Sequence, residues 1–319
     1  MTPPPTVAER FDTYLSAIEP PAARMELAQA LPALLRKYLE ASTKLRLAEP
    51  GTLLVGSYRR HTAIQQIKDV DLAVFVDPAY ANQPVEVVMN DLYAAIDAFS
   101  RKEVRRRSIN RTRQRRSIRV DFADDALQMD AVPVIAVKGD PYGDLWIPDR
   151  DWKKWLGTRS VGYLKWFSSL NDKHGGRLVS LVKLFKAWRQ GALIERKEAK
   201  AFWLELMIVQ EVVDGTVVMA GRPWEEIVVT TFDALIRRCA PVMRTEGACP
   251  KVPDPMIMDS NAAALWKRDG FEAFYMKVIT GRSRALQALQ ATSESASASR
   301  WRAVFGQKFA PTWYDPILS

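Results

Sequence analysis

The stretch TLLVGSYRRHTAIQQIKDVDLAVFVD, residues 52–77, decides how the rest of the chain is read. A short apolar strand stops at Gly56-Ser57, and a second apolar strand, DVDLAVFVD, is stopped by Pro78. Glycine lets a backbone approach a ligand closely. Where a strand gives way to a helix, the exposed N–H groups and the Ser57 hydroxyl can then hold phosphate oxygens. Asp69 and Asp71 are two apart on a strand, so both side chains point to one face. Two adjacent carboxylates repel each other and are tolerable only when exposed or bridged by a divalent cation.

A third carboxylate is offered by Asp130 in LQMDAVPVI, residues 127–135. A lone charge in an apolar strand is costly unless it is paired or bound to a metal. Asp121, Asp124 and Asp125 are rivals. Asp130 is preferred because its flanks are apolar on both sides, whereas Asp124 and Asp125 read as turn residues. Three carboxylates on neighbouring strands suit a pair of Mg²⁺ (or Mn²⁺) ions, which in such sites lie about 3.5–4 Å apart and stabilise the attacking and leaving oxygens. With only His61, His174, Cys239 and Cys249 in the chain, a His-rich metal site, a zinc ribbon and a His-centred triad are poor readings.

Working outward, residues 7–41 read as helix broken at Pro20-Pro21, with Pro32 able to kink the second part. Residues 84–100 read as helix, and 118–122 and 127–135 as strands around a turn at Ala123-Asp124-Asp125. Proline and glycine punctuate 139–148. The second half reads mainly as helices around 161–170, 176–190, 197–213, 223–239 and 259–291. SESASAS (293–299) reads as a loose linker, and the aromatics of WRAVFGQKFAPTW (301–313) suggest a tail that packs back. The expected architecture is α+β: a mixed sheet with helices over residues 1–150 and a helical lobe over 151–319. The ligand is expected in the cleft between them. No apolar run approaches the roughly 20 residues that span a bilayer. The opening residues carry no secretory pattern, so a cytoplasmic location and no membrane partner are expected.

Charge is concentrated. Residues 101–119, RKEVRRRSINRTRQRRSIR, hold ten basic residues against one acid, which equals the net charge of +9 for the whole chain. The segment from Arg105 to Arg119 is therefore a candidate for polyanion contact, weighed evenly against plain solvation of a strand edge. No aromatic residue interleaves the arginines, which argues against a platform for stacking single-stranded bases.

The quoted residues resemble the GS…T-x-I…DxD signature of polymerase-β-like nucleotidyltransferases. The likeness is to the branch holding bacterial CD-NTases, cyclic GMP-AMP synthase and the 2′-5′-oligoadenylate synthases. LQMDAVPVI resembles the third-aspartate strand of that family. Leu181-Val182-Lys183-Leu184-Phe185-Lys186-Ala187-Trp188 resembles a helix whose lysine contacts the donor triphosphate, which by position is Lys186, with Lys183 a close competitor. Phe202-Trp203-Leu204-Glu205-Leu206 resembles the next helix, where an aromatic side chain, Phe202 in the first instance, is a candidate to stack on a base. Asp254-Pro255 with Asn261, and Trp301…Phe305-Gly306…Phe309, resemble later elements. Thr158-Arg159-Ser160 departs from the family's D-P or N-P pair, and no Cys/His zinc loop is inserted.

The resemblance implies a polymerase-β-like core with a C-terminal helical lobe. It implies Asp69, Asp71 and Asp130 as catalytic metal ligands, with Gly56, Ser57, Lys186 and Phe202 meeting substrate. The implied activity joins nucleoside triphosphates into a cyclic di- or trinucleotide, an antiphage (CBASS-type) second messenger that reaches a downstream effector. The alternative is nucleotide addition to RNA, tRNA or another macromolecule.

Overall fold

In the computed structural model, which describes residues 5–65, 67–103, 105 and 107–309, the double proline Pro20-Pro21 separates two helices, α1 (Val7–Ala17) and α2 (Ala22–Glu40). It also marks a larger division. Residues 20–169 form one compact unit, and the segment up to Glu19 joins the chain from Leu170 onward to form the other. Pro32 sits inside α2, buried, without ending it.

The unit of residues 20–169 is a mixed sheet with helices. After α2 come β1 (Leu47–Val55), the one-turn α3 (Gly56–Arg59), β2 (Asp69–Val76), α4 (Val85–Glu103), β3 (Ile109–Arg113), β4 (Ile118–Phe122) and β5 (Leu127–Ala136). A hairpin of β6 (Leu145–Asp149) and β7 (Lys154–Thr158) precedes α5 (Ser160–Lys173), whose residues through Ser169 belong to this unit. The strand order is β1-β2-β5-β4-β3, with β6 pairing β5 and β7 pairing β6. Only β2 and β5 run parallel among these pairs.

Side-chain alternation gives this sheet two different faces. Val70, Leu72, Val74 and Val76 of β2, Ile118, Val120 and Phe122 of β4, and Leu127, Met129 and Ala131 of β5 join one buried cluster. That cluster includes Leu31, Leu35 and Leu39 of α2 and Val88, Leu92, Ile96 and Phe99 of α4. Ala73 and Phe75 of β2 and Val134 of β5 point the other way, into a second cluster with Val55, Leu145 and Val161. The β6–β7 hairpin was not anticipated, because Pro148 and Gly157 interrupt what would otherwise read as strand.

The other unit is helical: α1, the end of α5, then α6 (Arg177–Gly191), α7 (Ala201–Val213), α8 (Trp224–Met243), α9 (Arg268–Leu289) and α10 (Glu294–Phe305). The helix expected from residue 259 begins at Arg268 instead. The Asn261 side chain accepts the N–H groups of Val252 and Ala263, and Asp254 accepts that of Met256, so local turns hold the chain out of helix there.

SESASAS corrects the linker expectation. Ser293 caps α10 by accepting the Ala296 N–H at 3.2 Å. The small residues that follow let α10 lie close to α9, where Ser297 donates to the Ala288 carbonyl at 2.8 Å and Ala298 is buried. The tail packs back as far as it is described. Phe11 meets Trp301, Phe305 and Phe309 with ring centroids 5.1, 5.8 and 4.9 Å apart. The last four residues of that expected tail, 310–313, lie outside the described residues. Cys239 and Cys249 are free thiols. Among the described residues, no helix is long and apolar enough to cross a membrane.

Candidate active site

Gly56 follows directly on β1, whose last residue, Val55, is the Cα partner of Asp71. It has φ +73°, a conformation that costs any residue with a side chain, and a Cβ there would lie 1.9 Å from Asp71 Oδ2. The backbone is thus packed onto the Asp71 carboxylate with no room for a methyl group. The turn beyond is held by its own hydrogen bonds: the Gly56 carbonyl accepts the Arg60 N–H at 3.2 Å, and the Ser57 carbonyl accepts the Thr62 N–H at 3.0 Å. Thr62 is fully buried, and His61 is an exposed turn residue at φ 58°.

Asp69 and Asp71 share the β2 face that carries Ala73 and Phe75, away from α2 and α4. In the parallel pairing, Asp71 is the Cα partner of Asp130, and Asp69 of Gln128. Alternation along β5 turns Asp130 to the same face, since Met129 and Ala131 go to the helix side. The three carboxylates therefore share one surface. Burial, then the charges of Asp69 and Asp130, push the Asp71 carboxyl up from 3.8 to about 6, against the opposing pull of Arg60 and Arg119.

Two of the three rival acids have other work. Asp124 accepts the Ser108 N–H at 2.7 Å, and Asp125 pairs with Arg107 at 2.6 Å. Asp121 lies on β4 opposite Gln128, one strand further from β2 than Asp130. Two cationic neighbours were not singled out from the sequence. Arg119 grips both oxygens of Asp130 at 2.9 Å each. Arg60 stacks over the Tyr163 ring at 5.2 Å. The register that sets Arg119 across from Asp130 was hidden inside the arginine-rich segment.

That segment is largely tied into its own unit. Arg111 pairs with Asp97, and Arg113 bonds Asn90 and lies 4.1 Å from the Tyr93 centroid. Arg115 and Arg116 both reach the fully buried Asp149 at 2.8 Å. Burial would raise the Asp149 pKa. Hydrogen bonds from Arg115, Arg116 and the Trp152 N–H overcome it and hold that carboxyl down to about 2. Several of the segment's arginines are thus paired with acids of their own unit.

Lys186 and Phe202 belong to the helical unit. Lys186 makes a buried ion pair with Glu205 at 2.7 Å, and its competitor Lys183 pairs with Glu19. Phe202 is exposed near the start of α7, while Trp203 is core, donating to the Ala262 carbonyl at 2.9 Å and packing 5.1 Å from Trp266.

The model of one protein family, described as the Second Messenger Oligonucleotide or Dinucleotide Synthetase domain (SMODS), matches residues 6–171. A cyclic AMP-AMP-AMP synthase from Acinetobacter sp. (strain ATCC 27244 / 9458) is 27% identical over 314 residues, covering 95% of this chain and 85% of its own length. The fold matches that of CdnC from E. coli MS115-1 in two solved structures. In the CdnC:HORMA-deltaN complex the TM-score is 0.74 at 19% identity, covering 95% of this chain and 98% of that one. With ATP it is 0.72 at 21% identity over the same shares. The aspartate face, the glycine packed onto it and these likenesses converge: the chain belongs to the SMODS family of CD-NTases, nucleotidyltransferases that synthesise cyclic oligonucleotides.

Proposed function

We propose that this chain joins nucleoside triphosphates, ATP among them, into a cyclic di- or trinucleotide with release of pyrophosphate, and that the product is a second messenger acting on a separate antiphage effector. The observation that carries the reading is the packing of Gly56 onto Asp71 in a strand register that puts Asp130 beside it. ATP is favoured because the Acinetobacter relative is named for an all-adenosine product.

Asp69, Asp71 and Asp130 fit a pair of divalent cations. They are hard oxygen donors on one face; burial first, and then their mutual repulsion, raise the Asp71 carboxyl, and a bound dication relieves that repulsion. Such ions, when bound, stabilise charge on the attacking and leaving oxygens. The protein's own part is placement. Gly56 keeps the backbone against Asp71, and the Ser57 hydroxyl with nearby N–H groups holds phosphate oxygens. Buried Thr62 holds the turn in shape.

Mass spectrometry of the products formed from all four ribonucleoside triphosphates with Mg²⁺ or Mn²⁺ tests the proposal. Phosphatase-resistant cyclic products are expected from the wild type, and none from Asp69→Ala/Asp71→Ala. Only linear, phosphatase-sensitive products, or label transferred to added RNA, would reject cyclisation.

A further inference from the structure

Arg119 stands at one end of a row that crosses β2, β5 and β4, with Asp130 between it and Asp71. It is the Cα partner of Asp130 in the β4–β5 pairing, and Asp130 is the partner of Asp71 in the β2–β5 pairing. Its guanidinium forms a two-pronged pair with Asp130, Nε to Oδ1 and NH2 to Oδ2, both at 2.9 Å. A carboxylate gripped in this way has its oxygens committed to a cation already. Among the described residues, no three acidic, histidine or cysteine side chains form a ready ligand cluster. Arg119 also has a second acceptor. With the Gln114 amide oxygen turned towards it, Gln114 accepts from Arg119 Nε at 2.8 Å and NH2 at 3.1 Å, while its NH₂ group donates to Ser117 Oγ at 2.9 Å.

We propose that Arg119 is a positioning residue that holds Asp130 when no cation is bound, yields it to a divalent cation, and stays with Gln114. This rests on the metal reading of the aspartate face given above. The physical logic is charge balance. Three carboxylates on one face strain the sheet unless something positive sits among them, and a guanidinium does this in the absence of a dication. A guanidinium and a dication on the same two oxygens repel each other, so loading one requires release of the other. Gln114, neutral and already placed, satisfies the released N–H groups and spares them desolvation without a partner.

Mn²⁺ titration of the full chain without nucleotide, followed by the EPR signal of the free ion, tests this. Arg119→Gln is expected to bind Mn²⁺ about tenfold more tightly than the wild type, the size of one charge-assisted pair removed from competition. Arg119→Lys keeps the charge but loses the fork, and is expected to bind about threefold more tightly. Arg113→Gln removes the same charge from β3 and is expected to stay within about twofold of the wild type. Affinity unchanged or weakened in both Arg119 variants overturns the proposal, and so does equal tightening by Arg113→Gln. Should Arg119→Gln not fold, Arg119→Lys decides alone. Asp71→Asn, titrated in parallel, separates the two levels. A wild type that binds no more Mn²⁺ than Asp71→Asn removes the metal site itself, and the role of Arg119 with it. Mn²⁺ binding that depends on Asp71 but not on Arg119 removes only the latter.

Discussion

At Gly56 two constraints meet on one atom that is not there. A Cβ would be strained by the positive φ and would overlap the Asp71 carboxylate. Gly56→Ala is therefore expected to displace Asp71. Pyrophosphate release should fall by at least about a hundredfold, the scale of a 1 Å misplacement in a catalytic group. Thermal unfolding should report a loss of about 1–3 kcal/mol from the strained backbone. Asp71 itself sets function against stability. Its carboxyl titrates near 6 in the fold against 3.8 ordinarily, so the folded chain holds a proton there that the unfolded chain has released. Stability from this group is full below pH 3.8 and is lost as pH rises to about 6. Asp71→Asn does not ionise at this position. Without added metal it should unfold at a higher temperature than the wild type at pH 8, with the gap closing towards pH 4, while making no cyclic product.

At the scale of elements, the β3–β4 arginines show what composition leaves out. The segment holds ten basic residues, and among them Arg107, Arg111, Arg115, Arg116 and Arg119 pair with Asp125, Asp97, Asp149 and Asp130 of the same unit. Asp149 ends β6, a strand the sequence pattern did not reveal, so its role could not be read either. Its carboxyl is held near 2, so it contributes stability above its ordinary 3.8 that is lost only as pH falls through about 2. Asp149→Ala should leave Arg115 and Arg116 without this acceptor. Because both arginines are partly exposed, the loss belongs at the lower end for a broken buried pair, about 3 kcal/mol by urea unfolding.

For the whole molecule, the notable feature is that one unit is built from both ends of the chain. Helix α1 is encoded before the sheet, but Phe11 is buried among Trp301, Phe305 and Phe309, and the Tyr14 hydroxyl donates to the Phe305 carbonyl at 3.1 Å. Phe11→Ala should cost about 3–5 kcal/mol through the cavity it leaves. Limited proteolysis should then cut the helical unit before the unit of residues 20–169. Equal protection of both units would contradict this assignment of the core.

The acids of the site were legible because strand periodicity is local: a spacing of two puts Asp69 and Asp71 on one face wherever the strand lies. The glycine–serine turn and most helices were legible for the same reason, since caps, breaks and apolar periods act over a few residues. Tertiary structure alone decided the rest. Which strand lies beside β2, and in what register, sets Asp130 across from Asp71 and Arg119 across from Asp130, and no local pattern carries a register between segments far apart in sequence. The same holds for the serines of α10, which read as linker until a neighbouring helix offered them a surface to pack on. It holds too for the arginines, whose charge was visible in the sequence but whose partners came from elements distant along the chain.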